Sequence, residues 1–140
     1  MSNEKRVTVI GGGLAGSEAA YQISRLGIRV KLIEMRPEVK SPAHNSNDLA
    51  ELVCSNSLKS DTLDNASGIL KEEMRQLGSL IIDAADNNRV PAGKALAVDR
   101  LKFAEYITEK IESDPLIDLV REEFKEIPEN LDSPLIIASG

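Results

Sequence analysis

Apolar and polar positions along the chain alternate between a short and a long period. Arg6–Ile10 (RVTVI) is a β-branched run closed by three glycines, and across residues 14–26 Leu14, Ala19, Ala20, Ile23 and Leu26 recur near helical spacing. Gly27 follows where a helix C-cap glycine belongs, and Arg29–Glu34 (RVKLIE) alternates polar and apolar as a strand does. These stretches predict one right-handed βαβ unit. From Met35 to about Ser67 the periodicity dissolves among Pro37, Pro42 and many Ser, Asn and Asp residues. It returns at Leu70, Met74, Leu77, Ile81 and Ala84, the steps of an amphipathic helix over residues 70–84. Gly78 inside that helix costs about 1 kcal/mol relative to alanine, so either a close helix contact compensates or the helix is locally weak. A loop containing Pro91 and Gly93 comes next. Asp99 then stands as N-cap of a helix with Ala104, Ile107 and Ile111 on one face, ended by Asp114-Pro115. Residues 116–120 and 123–127 read as short strands, and 135–138 (LIIA) as a buried one.

That order predicts an α/β fold, a Rossmann-like domain on a parallel sheet, with an inserted loop and helical segment at about 35–100. Because the last strand meets Gly140 where a further turn and element would normally follow, residues 1–140 read as the N-terminal part of such a domain, truncated before it is complete. At 41% hydrophobic and 29% charged residues, the chain can bury one core. No run approaches the roughly 18 apolar residues of a membrane span, and MSNEKR lacks a signal peptide's pattern, so a cytoplasmic address without membrane contact is expected. The balance of 17 Lys and Arg against 23 Asp and Glu has the wrong sign for binding nucleic acid by bulk electrostatics. A single cysteine, Cys54, excludes an internal disulfide and a zinc or CxxC pair, and no metal site is expected. Asn65-Ala66-Ser67 matches an N-glycosylation pattern by chance.

GGGLAG, residues 11–16, fits GxGxxG. Alone that is a weak signal, but a strand precedes it and a helix follows. In such a turn Gly11 permits the sharp exit from the strand, Gly13 lets a pyrophosphate approach the backbone, and Gly16 lets the helix lie close to the sheet. The helix N-terminus offers free N–H groups and its positive dipole end to phosphate. Glu34, ending the second strand, can accept hydrogen bonds from ribose hydroxyls and repels a 2′-phosphate, which favours FAD or NAD over NADP. Gly93-Lys94 lacks the flanking residues of a Walker loop. The terminal LIIASG resembles the apolar run and Thr-Gly of flavoproteins with two dinucleotide domains, with Ser139 in place of Thr, and tilts the choice to FAD.

EMRP (34–37), PAH (42–44), ELVCSNSL (51–58), LKEEMR (70–75) and VPAGKALAVDR (90–100) follow in order. With the glycine fingerprint, they make the chain resemble the N-terminal part of the folate- and FAD-dependent tRNA (uracil-5-)-methyltransferases over residues 7–140. The resemblance implies that reduced FAD, charged by NADH or NADPH, takes a one-carbon unit from methylenetetrahydrofolate, which ends as the 5-methyl group of a T-loop uridine in tRNA. By position, Gly11, Gly12, Gly13, Leu14, Ala15 and Gly16 would line the FAD pyrophosphate and Glu34 its ribose. Arg36 would reach the adenine side or a phosphate, unless it is a solvated surface arginine. His44, the only histidine, is either a polar filler or a flavin or substrate contact. Lys94 and Arg100 are anion contacts or surface residues, and the helix over 70–84 is core.

Cys54 is the candidate catalytic residue. Uracil C5 becomes nucleophilic when a group adds at C6, and a thiolate is the usual adduct former. Ionisation needs a nearby cation or helix N-terminus, and Ser55 and Asn56 are placed to cap a helix beginning near Ser57. The competing reading is a buried structural cysteine. Attack on uridine, protection of a flavin adduct and lining the flavin stay open as its role. Rival identities are the relative that builds carboxymethylaminomethyl groups on wobble uridine, against which EMRP and ELVCSNSL speak, an NAD-linked dehydrogenase, and a nucleotide-binding structural module. Nothing in the pattern sets an oligomeric state.

Overall fold

The computed structural model of the chain describes residues 5–129 and 133–140. Its elements run β1 (Arg6–Ile10), α1 (Leu14–Arg25), β2 (Arg29–Glu34), β3 (Ser57–Ser60), α2 (Ala66–Gln76), α3 (Leu80–Asn87), β4 (Arg89–Val90), β5 (Ala95–Val98), α4 (Arg100–Glu112), β6 (Ile117–Arg121) and β7 (Leu135–Ile137). The four strands β6-β2-β1-β7 form one sheet in that order, every pair parallel, with β1 against β2 from Arg6 opposite Arg29 to Ile10 opposite Ile33. The predicted parallel α/β sheet is therefore present.

The alternation in RVKLIE has a physical purpose. Val30 and Leu32 join Val9 on the sheet face that packs against Phe103, Ile107 and Ile111 of α4 and Leu80 and Ala84 of α3. Each such aliphatic or aromatic side chain contributes about 1.5–3 kcal/mol on burial. The opposite row of the sheet carries Thr8, Lys31 and Asp118, side by side in register. Asp99 caps α4 as expected, accepting from the N–H groups of Leu101 (3.1 Å) and Lys102 (3.2 Å).

Four expectations are corrected. The helix over residues 70–84 is two helices, because Gly78 adopts φ +74 and Ser79 starts a new N-terminus. A left-handed residue cannot continue a helix. The break is stabilised from α1: Glu18 accepts from Ser79 Oγ (2.7 Å) and from the N–H groups of Leu80 (3.1 Å) and Ile81 (2.9 Å), placing a carboxylate on the positive end of α3. Only α3 is core, since Leu70 and Leu77 of the first half are exposed. Second, the region 35–100 is more than loop and helix, for β3, β5 and β4 form a small antiparallel sheet. It includes Ser57, where a helix had been expected to begin. Third, residues 123–127 make no strand. Fourth, β7 is a strand but not a buried one, Ile137 being 55% exposed. Asn65 of the glycosylation-like triplet caps α2, accepting from Gly68 N at 3.0 Å.

Candidate functional site

At the C-terminal ends of β1 and β2 the chain makes the turn that the glycines foreshadow. Gly11 N donates to Ile33 O (2.8 Å), and Ala138 N donates to Ile10 O (2.7 Å), so the turn is held between two neighbouring strands. A Cβ on Gly11 would lie 2.2 Å from Ala138 O, and one on Gly16 would lie 1.7 Å from Gly11 O. Both distances are far inside van der Waals contact, so these two glycines let α1 press against the sheet. Gly12 is closed in as well, its Cβ direction meeting Leu49 Cδ2 at 2.5 Å and Glu34 Oε2 at 2.8 Å.

Gly13 differs. It is the N-cap of α1, carries no capping side chain, has no acidic residue in the turn after it, and a Cβ there would meet nothing within 4 Å. The N–H groups at the start of a helix have no intrahelical acceptor, and Leu14 and Ala15 are exposed. What remains is an uncapped, positively polarised helix end open to an anion.

Glu34 lies beside it, 4% exposed. Its Oε2 accepts from Gly12 N (2.8 Å), and its Oε1 accepts from both the backbone N (3.0 Å) and the Nε (2.8 Å) of Arg36. Burial is the largest single influence and pushes its pKa up. The Arg36 side chain and the N–H groups of Arg36 and Gly12 together outweigh it and hold the carboxyl below its ordinary value. Arg36 is neither solvated nor free: it is 1% exposed, and its Nη1 donates to Glu51 Oε2 at 3.0 Å. Glu51 also accepts from the N–H groups of Asn45 (2.9 Å) and Ser46 (3.3 Å). Burial raises the Glu51 pKa, and these N–H groups with the charges of Arg36 and His44 bring it net below the usual range.

The segment that carries Cys54 is anchored to this same turn. Ala50 N donates to Gly12 O (2.8 Å), and Leu49 N donates to Thr108 Oγ1 (2.8 Å) on α4. Ala50 is fully buried at φ +53, a left-handed conformation that costs an L-residue about 1–2 kcal/mol and persists here because both neighbours are fixed. Cys54 follows Glu51 by three residues, so its Cα lies within about 10 Å of that of Glu51. The thiol is free and exposed, which overturns the buried structural reading, and the element that follows it in sequence is the strand β3, not a helix. Arg100, the first residue of α4, donates from its Nη1 to Leu52 O at 3.4 Å, two residues before the cysteine. His44 is half-buried with Nδ1 2.7 Å from Ser41 Oγ, and Lys94 is exposed.

The structure places Glu34 against the glycine turn. Glu51, Thr108 and Arg121 join this site without any mark in the sequence pattern, and Arg121 donates to Arg36 O (3.3 Å) and Asn47 O (2.7 Å) and so pins the loop after β2. A separate cleft of about 520 Å³ lined by Tyr21, Arg25, Arg75 and Asp86 lies away from the glycine turn. Its Arg75 is engaged by Asp61 (2.7 Å) and Asp86 (2.7 Å), and its Arg25 donates to Gly78 O (3.0 Å).

Two curated relatives are each 62% identical: one from Desulforamulus reducens over 98% of this chain, and one from Geobacter sulfurreducens over 96%. Both are named Methylenetetrahydrofolate--tRNA-(uracil-5-)-methyltransferase TrmFO. The match covers 31% and 30% of their own lengths, so the chain spans about a third of these relatives. The solved structure of a peptidyl tryptophan dihydroxylase, QhpG, shares the fold, with a TM-score of 0.51 at 18% identity over 91% of this chain and 27% of that one. The sequence model of the family described as Glucose inhibited division protein A matches residues 6–138, and the chain belongs to that family.

Proposed function

We propose that the turn at residues 11–16 and Glu34 hold the adenine dinucleotide half of FAD, and that these residues are the dinucleotide-binding third of a longer tRNA (uracil-5-)-methyltransferase. The observation that carries the proposal is the open α1 N-terminus at Gly13 beside a buried, ionised Glu34, in a chain 62% identical to relatives bearing that name. The donor set fits the group. Backbone N–H groups and a helix dipole suit a pyrophosphate, and a carboxylate suits the two hydroxyls of a ribose.

When bound, reduced FAD supplies the electrons with which a one-carbon unit from methylenetetrahydrofolate ends as a methyl group. The protein's own residues do the rest. Leu14 and Ala15 offer N–H groups to the pyrophosphate, and Gly13 leaves room for it. Glu34 orients the ribose and is itself oriented by Gly12 and Arg36. Cys54 is the residue we assign to addition at uracil C6, in a segment that Arg100 holds at the Leu52 carbonyl. NADH or NADPH and a T-loop uridine of tRNA complete the set of substrates, and the reaction is cytoplasmic. No described helix is long and apolar enough to cross a membrane.

The test is ribothymidine formation by the purified full-length protein. Methylenetetrahydrofolate, a reduced nicotinamide nucleotide and unmodified tRNA should together yield it. Methylation that depends on S-adenosylmethionine instead would contradict the proposal.

A further inference from the structure

A Rossmann-like turn accepts or refuses a 2′-phosphate according to the charges at the end of its second strand: a carboxylate there selects the free ribose, and a nearby arginine admits the phosphate. This chain has both, two residues apart. Glu34 and Arg36 sit at the same point, yet the guanidinium is not offered to a ligand, because Nε is bound to Glu34 Oε1 and Nη1 to Glu51 Oε2. Glu51 is fixed in turn by the N–H groups of Asn45 and Ser46 and by the buried left-handed Ala50 just before it. We propose that Glu51 is a specificity-determining residue of the dinucleotide pocket: by holding the Arg36 guanidinium it withholds that cation from a 2′-phosphate and keeps the pocket selective for an unphosphorylated adenosine ribose.

The inference rests on the reading that residues 11–16 and Glu34 hold an adenine dinucleotide, and it adds the charge that sets which one. Without Glu51, Arg36 retains one carboxylate partner and gains freedom to turn toward the ribose edge. A merely structural Glu51 would weaken both nucleotides equally, whereas a specificity residue changes their ratio.

Calorimetric titration of the flavin-free full-length protein with ADP and with its 2′-phosphorylated derivative reads that ratio directly. The wild type should prefer ADP, and Glu51→Gln should narrow the preference by at least about tenfold, the lower end of the worth of one charge-assisted hydrogen bond to phosphate. Glu51→Ala should narrow it by a second route, which keeps the test alive if one variant folds poorly. Adding Arg36→Gln to Glu51→Gln should restore the wild-type ratio, since the freed cation is then gone. A ratio unchanged in both Glu51 variants overturns the inference while leaving the dinucleotide reading intact. Failure of the wild type to bind ADP overturns both.

Discussion

Gly13 and Gly16 lie three residues apart in one turn, and substituting each with alanine should produce opposite failures. At Gly16 the new methyl carbon would sit 1.7 Å from Gly11 O and 2.9 Å from Gly11 C. These are backbone atoms of the β1–α1 turn, so the helix must move off the sheet, an overpacking cost of about 3 kcal/mol. At roughly 2–4 °C per kcal/mol for a domain of this size, the melting temperature should fall by about 6–12 °C. At Gly13 the methyl meets nothing, and φ −75 with ψ −165 suits alanine. The small N-cap preference for glycine and the entropy gained by restricting the unfolded chain, each about 0.5–1 kcal/mol, nearly cancel. Gly13→Ala should therefore melt like the wild type. Its methyl nonetheless projects where a pyrophosphate would lie, and losing one N–H to phosphate bond of about 1.5–3 kcal/mol raises the Kd for FAD about 10- to 150-fold. Circular dichroism melts and quenching of flavin fluorescence read the two effects separately. A Gly13→Ala protein with wild-type FAD affinity would refute the placement of the cofactor, and a Gly16→Ala protein with a wild-type melt would refute the packing.

Acid should unfold the protein through carboxylates held by cations. Glu34, Glu51, Asp61 and Asp86 all have pKa values lowered by folding, so the unfolded chain binds more protons and stability rises with pH across their titration. Their contribution is complete above the ordinary values of 4.5 and 3.8 and is lost as pH falls below them. A melting series from pH 6 down to about pH 3 should show that loss, and Glu34→Gln should flatten it. Thr108→Val strands the buried Leu49 N–H, costing about 1–3 kcal/mol, and should loosen FAD binding because Leu49 closes over Gly12. Thr108→Ser should restore both, and a variant that melts and binds like the wild type would contradict the role given to this bond. Cys54→Ala, at an exposed position, should leave the melt within about 0.5 kcal/mol and the flavin content unchanged while abolishing ribothymidine formation in the full-length protein. Normal turnover would remove Cys54 from the chemistry.

How much of this was legible in the sequence depends on the range over which each feature is decided. The β1–α1–β2 unit and the Asp99 cap depend on neighbours within a few residues, and their patterns predicted them closely. The small antiparallel sheet did not show, because β4 has two residues, β3 (SLKS) is polar with Lys59 at φ +67, and β3 meets its partner β5 only after a long excursion. Asn56, for example, donates to Val98 O 42 residues further on. The sequence marks Gly78 as a cost within one helix and not as a break, since the Glu18 carboxylate that caps the second helix comes from another element. For Arg36 the sequence leaves a nucleotide contact and a solvated surface residue both open, and only folding brings Glu51 to its far side. The left-handed Ala50 carries no local mark, because alanine has no preference for that conformation.

The position of FAD on the β1–α1 turn is directly measurable. A crystal structure of the full-length protein with FAD should place pyrophosphate oxygens at about 2.7–3.2 Å from the N–H groups opening α1 and the adenosine ribose against Glu34. A pyrophosphate bound away from Gly13, with Glu34 in contact only with Gly12 and Arg36, would contradict it.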